Sequence, residues 1–479
     1  MGIADGPTGR NAIGGFRLLF SDHLTALLHL MTIERGRHIS RLLLPQNLTH
    51  YRRGRCRRRA ARELIQQPGE QTMITRRTAL SAGFAAAAAA AAGRISRAHA
   101  ADTPGVTATE IKIGNTMPYS GPASSYSVIG RTETAFFKMV NDQGGVAGRK
   151  INFISLDDGY SPPKTVEDVR QLVEQDQVDF CFQNLGTPCN SAIASYMNQK
   201  KVPQLFVGSG ASKWSDYKKY PWTMGYQPNY RTEAQIYMKY VMQTIKDPKV
   251  GILYQNDDFG KDYPTGVRDA LGSNWDKIVV KNISYETTDA TIDSQIAELQ
   301  SSGANVLLVA AIPKFAAQSI RKVSDLNWKP TFFMTNVATS VGTVMQPAGP
   351  EKSVGMLSTQ YLKDPTDPTW KDDPGMKEWR AFMTKYNPSG DQTDAATVFA
   401  YGISLTMLQV LKQCGNDFSR ANVMKQAESL HDIENPTLLP GIKISTSPTD
   451  HRPIRAMQMV RWDGKTWVRF GNLIEGTNA

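Results

Sequence analysis

From Ile111 onward, short apolar runs alternate with amphipathic stretches. Ile111-Lys112-Ile113-Gly114 reads as a strand, and after a loop rich in Pro, Ser and Gly the spacing predicts a helix from about Val128 to Asp142, stopped by Gly144-Gly145. The strand Ile151–Ile154 follows, then a helix over Lys164–Gln175, a short buried strand Val178–Phe182, a helix over Ser191–Gln199 and a strand Pro203–Phe206. A second series has strands at Lys249–Tyr254, around Ile278–Val280, at Asn305–Val309 and at Thr331–Phe333, with helices between them. Strands alternating with helices of roughly 10 to 15 residues imply parallel sheets covered by helices.

The texture changes after about Gly355. Pro374–Tyr386 and Asp394–Lys412 read as helices, the second with an apolar face that includes Val398, Tyr401, Leu405 and Leu408. Near the end, Ala456–Trp462 and Thr466–Phe470 flank Asp463-Gly464, a strong hairpin signal. No repeat of solenoid period is visible, and the stretch after residue 100 is long enough for two domains of about 100 to 200 residues each.

The beginning of the chain is different. Arg76-Arg77 precedes the alanine tract Ala85–Ala92 and then Ala98-His99-Ala100-Ala101, the order of charged, mildly apolar and small-residue regions found in a secretory leader. The paired arginines make it resemble the twin-arginine type, with cleavage near Ala100 and a periplasmic product. Met73, just ahead of the pair, reads as the true start, which makes 1–72 a mis-called upstream segment and 73–100 the signal. No cysteine follows the apolar core to carry a lipid, and no later stretch is expected to span a membrane.

This leader changes the charge balance. The net charge of +11 suggests an anionic partner, but 16 of the 55 basic residues and 5 of the 44 acidic ones precede residue 101, leaving 39 of each. A neutral remainder has no electrostatic footprint for nucleic acid. Only His431 and His451 lie beyond the leader, and Cys181, Cys189 and Cys414 have no metal or redox spacing. Cys181 reads as a buried strand residue, and a Cys181–Cys189 disulfide is open in an oxidising compartment. An enzyme has little support: G-x-S-x-G, H-E-x-x-H and a phosphate loop are all missing. Gly144–Gly148 ends a helix where a dinucleotide fingerprint would open one. Asp157-Asp158 and Asp257-Asp258 read as strand-end turns and helix caps. No cofactor is expected.

Thr109–Gly114, Ser120-Gly121-Pro122 with Tyr126, Asn141–Lys150, Asp157-Asp158 before Pro163, Lys201-Val202-Pro203, Ser209–Ser212 and Asp258-Phe259-Gly260 are individually weak motifs. In this order and spacing the chain resembles the periplasmic solute-binding proteins of ABC importers, of the branched-chain amino-acid (leucine/isoleucine/valine) type. The resemblance implies an α/β fold of two doubly wound parallel-sheet lobes joined by three hinge crossings, the type I periplasmic binding protein fold. The crossings are expected near Gln227, Gly355 and Pro440. Lobe 1 would comprise 101–227 and 356–440, and lobe 2 228–355 and 441–479.

Ligands of open parallel sheets bind at the carboxyl ends of strands. Gly186-Thr187-Pro188-Cys189-Asn190 leads from a strand into a helix, whose amides and Thr187 hydroxyl suit a carboxylate, and Ser209-Gly210-Ala211-Ser212 follows the next strand. Simple strand-to-helix turns need the same residues. By resemblance Tyr126 covers the ligand, Phe259 does the same from the second lobe, and Tyr230, Ile312 and Asn336 line the opposite wall; the two loop aromatics serve equally well as core caps. Family members hold an amino-acid ammonium with a carboxylate, whereas the matching positions here are Asn336 and Gln227 or Asn229. A buried ammonium without an anion is costly, so the expected ligand is a carboxylate lacking the amino group; failing that, Glu233 or Asp258 would supply the anion. The resemblance implies a monomeric receptor that delivers a small molecule, an amino acid or organic carboxylate, to an ABC permease and its ATPase subunits. The alternative is a ligand-sensing module of a regulatory system using the same cleft.

Overall fold

The computed structural model describes residues 103–476, all in one structural unit. The leader, its cleavage site and the upstream segment lie outside the described residues. The first sheet contains β1 (Glu110–Met117), β2 (Lys150–Asp157), β3 (Phe180–Phe182) and β4 (Gln204–Leu205) in the order β2-β1-β3-β4, all parallel. The second contains β5 (Val250–Gln255), β6 (Val279–Tyr285), β7 (Val306–Ala310), β8 (Thr331–Met334), β9 (Leu357–Gln360), β10 (Ala456–Trp462) and β11 (Trp467–Glu475). Its order is β11-β10-β9-β8-β7-β5-β6, parallel from β6 to β9 and antiparallel from β9 to β11. This is an α/β fold with parallel-dominated sheets.

Helices of eight residues or more are α1 (Ser127–Asp142), α2 (Pro162–Arg170), α3 (Thr187–Lys200), α4 (Tyr230–Thr244), α5 (Asp258–Leu271), α6 (Asp293–Ser301), α7 (Pro313–Asp325), α8 (Pro374–Tyr386), α9 (Ala395–Gln413) and α10 (Arg420–Ala427). Local chemistry sets their ends. α1 stops where Gly145 takes a φ of 78° and its amide bonds Val140 O. A side chain there would place Cβ 1.9 Å from Arg149 O, so the turn requires glycine. The Asp257 side chain caps α5 by accepting from Gly260 N, and Asp157 Oδ1 accepts from Ser120 N and Gly159 N in a strand-end turn. Both acidic pairs therefore do the capping and turning expected of them. Every residue of β7 is buried, as a central parallel strand with both faces covered requires.

Three expectations need correction. β9 falls where no strand was expected, because Ser358, Thr359 and Gln360 are buried polar residues that break the apolar signal. Since β9 pairs in the second sheet, the chain leaves that half after Gln360 and not at Gly355. Beyond that point the chain pairs with a later segment: Lys363 N bonds Thr437 O (2.8 Å) and Leu439 N bonds Tyr361 O (2.9 Å). Finally, α9 is long and apolar enough to cross a membrane, but 67% of that window is buried inside the protein, where it packs on α1 as a core helix. Cys181, Cys189 and Cys414 are free, buried thiols.

Phe136 of α1 joins these helices, lying against Tyr401 of α9 at 5.6 Å and Phe382 of α8 at 6.0 Å between ring centroids. Phe136→Ala is expected to destabilise the fold by about 3–5 kcal/mol, read as a lower midpoint in urea unfolding.

Candidate functional site

The carboxyl ends of the two sheets face one cavity of ≈ 1020 Å³, its open mouth included. The first half contributes Tyr126, Tyr160 after β2, Gln183 and Leu185 after β3, Gly186 and Thr187 at the head of α3, and Gly208 after β4. The second contributes Tyr230, Phe259, Ile312 after β7 and Asn336 after β8. Tyr361 and Phe399 complete an aromatic wall. Hydrogen bonds reach from one half to the other around the rim: Tyr126 Oη donates to Val337 O (2.9 Å), Gln255 Nε2 to Tyr160 Oη (3.2 Å) and Ser340 Oγ to Asp394 Oδ1 (2.8 Å).

Of the sequence-derived residues, Tyr126, Thr187, Tyr230, Phe259, Ile312 and Asn336 come together on this cavity. Ser209, Gly210, Ala211 and Ser212 do not. Gly210 O accepts from Tyr230 N (2.8 Å), and a Cβ on Gly210 would lie 2.5 Å from Pro228 O, so this loop passes behind Tyr230. Ser209 Oγ receives Trp214 Nε1 (2.8 Å) and lies 2.6 Å from Thr187 Oγ1, which makes it a support for Thr187. Gly210 and Ala211 line a separate, smaller cleft beside Trp214 and His451. Ser212 is spent on Asp262, which accepts from its amide (2.6 Å) and hydroxyl (2.8 Å).

Backbone geometry brings polar groups close to the cavity. Gly186 has a φ of 101° and carries the Tyr160 ring against it, 2.6 Å from where a Cβ would stand. Gly208 leaves room for Gln183, whose Nε2 would lie 2.9 Å from a Cβ there. Gln183 itself is buried with a left-handed φ of 58°, and neither its Nε2 nor its Oε1 has a hydrogen-bond partner.

Glu233, offered above as a spare anion, does not line the cavity. It is fully buried one turn along α4 from Tyr230 and accepts from Tyr237 Oη, Tyr263 Oη (2.5 Å), Thr359 Oγ1 (2.9 Å), Asn336 N (2.8 Å) and Asn336 Nδ2 (2.9 Å). Burial raises its pKa, and the bonds from Tyr237, Tyr263, the Asn336 backbone amide and Thr359 oppose the rise. With the Asn336 amide donating to Glu233, its Oδ1 is the group left for the cavity. Asp258 is half-exposed and paired with Lys213 Nζ (2.9 Å). The carboxylates that do line the cavity are Asp364 and Asp394. Sequence reasoning missed Asp394 because it reads as the cap of α9, which it also is.

A profile for periplasmic binding proteins matches residues 110–466. The chain belongs to the periplasmic binding protein family. It is 22% identical over 320 residues to a Leu/Ile/Val-binding protein homolog 1 of Brucella suis, covering 64% of this chain and 80% of that one. Solved structures of the same fold include a branched-chain amino acid ABC transporter protein of Thermus thermophilus with bound valine (13% identity, TM-score 0.70, 78% and 98% of the two chains). Another is an ABC transporter solute-binding protein of R. palustris in complex with 4-hydroxybenzoate (16% identity, TM-score 0.64, 77% and 97%). These neighbours are type I periplasmic binding proteins, and the present chain shares their fold.

Two predictions follow from the geometry of this binding protein. Glu233→Ala strands the Thr359 hydroxyl and the backbone and side-chain amides of Asn336, at about 1–3 kcal/mol for each donor left unpaired, while Tyr237 Oη keeps Met334 O as an acceptor (2.8 Å), so urea unfolding should shift by several times the effect of a surface substitution. The second concerns pH. Burial raises Asp262 from its ordinary 3.8 to about 6 in spite of the Ser212 bonds. Between those values the folded protein holds a proton that the unfolded chain has released, so this group's contribution to stability is full below the lower value and is lost as pH rises through the upper. Asp262→Asn should remove that decline, measured as unfolding free energy at about pH 4 and about pH 7 relative to wild type.

Proposed function

We propose that this chain is an exported substrate-binding receptor of an ABC importer, capturing an amino acid or related small carboxylate between two hinged lobes and handing it to a membrane permease and its ATPase subunits. The observation that carries the reading is the aromatic-walled cavity where the carboxyl ends of two parallel-dominated sheets meet, bridged by hydrogen bonds from opposite halves. The ligands named for relatives, valine in one and 4-hydroxybenzoate in another, share a carboxylate. The first turn of α3 suits that group, because helix-start amides lack intrahelical acceptors and Thr187 adds a hydroxyl. On this reading the first lobe carries the four-stranded sheet with α8 and α9, the second the seven-stranded sheet, and the protein acts as a monomer.

Hinge closure predicts that a carboxylate which raises the melting temperature also lowers the radius of gyration in small-angle scattering. An unchanged radius with saturating ligand counts against the hinge. Tyr126→Phe keeps the ring and deletes the bond to Val337 O, a neutral hydrogen bond of about 1 kcal/mol, so it should shift the balance toward the open form and weaken binding about fivefold by calorimetry. Periplasmic localisation is expected to depend on Arg76 and Arg77: replacing both with Lys should leave precursor inside the cell, and undiminished export rejects the twin-arginine route.

A further inference from the structure

Two carboxylates reach the cavity, and the protein satisfies only one of them. Asp364 accepts from Thr366 through Oδ1 and from Gln360 Nε2 through Oδ2. Asp394 is fully buried; its Oδ1 accepts from Ala396 N (2.9 Å), capping α9, and from Ser340 Oγ (2.8 Å) of the opposite half, while its Oδ2 has no partner. Capping does not explain the second oxygen, since Ser or Thr caps a helix comparably well. Nor does a cation of the lining neutralise it: Lys363 Nζ donates to Asp373 and to Pro436 O. A buried carboxylate oxygen left without a donor, on a residue that lines the cavity, costs free energy unless something arrives to pair with it.

We propose that Asp394 Oδ2 is the acceptor for a hydrogen-bond donor carried by the ligand, a protonated amine or a hydroxyl, and that this contact couples recognition to closure because Oδ1 already holds Ser340 across the cleft. The proposal rests on the receptor reading above and sharpens its ligand. It replaces the expectation of a cavity without an anion: the carboxylate is present, carried by the helix of one half and not by the strand end where Asn336 stands. Burial raises the pKa of Asp394, and Asp391 and Asp364 add to the rise against the Ala396 and Ser340 bonds; a protonated amine beside Oδ2 opposes that rise by its charge, which a hydroxyl lacks. The aromatic wall that includes Tyr126 and Phe399 suits a cation as well.

Calorimetry on probes differing at one position tests this. 3-Phenylpropionate, phenyllactate and phenylalanine carry hydrogen, hydroxyl and ammonium on the same carbon, 3-(4-hydroxyphenyl)propionate moves the hydroxyl to the far end, and phenethylamine removes the carboxylate. At least one donor-bearing probe is expected to bind about tenfold or more tighter than 3-phenylpropionate. Which one does so distinguishes amine from hydroxyl and near from far placement. Asp394→Ala should abolish that advantage, over and above a loss of about fivefold that all the carboxylate probes share because the Ser340 bond across the cleft goes with it. Asp394→Asn, which retains a capping side chain, should also lose most of the preference for the amine, with its melting temperature showing that the fold persists. Equal affinity for all carboxylates, or equal loss for all of them in the variants, overturns the proposal and leaves the receptor reading standing. Phenethylamine binding that depends on Asp394, without binding of any carboxylate, upholds Asp394 and sinks the carboxylate reading. If none of the five binds, both fail.

Discussion

The second half of the protein is organised around a buried carboxyl group held by neutral donors. Glu233 gathers neutral donors from α4, α5, the loop after β8 and β9, and every one of those elements contributes a residue to the cavity or stands directly behind one. A carboxyl group held this way is expensive to bury and still more expensive to disturb, because Thr359 and both amides of Asn336 are then left with unanswered donors. The arrangement therefore works as a template. Tyr230 and Tyr263 stack at 5.7 Å, Phe259 meets Tyr230 edge-on at 4.8 Å, and Asn336 is oriented by both its backbone and its side chain.

The first half achieves rigidity by another route. Its strands β3 and β4 are short, its polar groups are placed by left-handed or glycine backbone at Gln183, Gly186 and Gly208, and its helices meet through Phe136, Phe382 and Tyr401. One side of the cleft is thus set by a hydrogen-bond network in a core and the other by backbone shape.

How much of this could be read from the chain depends on the kind of signal. Helices α8 and α9 and the closing hairpin were marked by apolar periodicity and by Asp463-Gly464, and they stand within a residue or two of expectation except for the longer last strand. β9 was not legible, because Ser358, Thr359 and Gln360 are buried polar residues, bonded to Met334 O, Glu233 and Asp364 in turn, and carry no alternation. The same limit applies at the site. Residues at strand ends, such as Ile312 and Asn336, could be placed by topology and order. Ser209–Ser212 could not, because whether a loop faces the cleft or passes behind Tyr230 is decided by packing against Pro228. Asp394 was hidden by its other role: a capping aspartate looks fully explained until each oxygen is followed separately.

Gln183 and Asp394 also bear on the kinetics of exchange. Buried polar atoms that the fold does not satisfy are solvated whenever the cleft stands open, so an arriving molecule competes with ordered water for both positions. A ligand that merely fits the aromatic wall strips that water without replacing its bonds, and one that reproduces them releases it at little enthalpic loss. On the proposed receptor reading, selection at this cleft falls on dissociation: poorly matched molecules leave as soon as water returns, while matched ones stay longer.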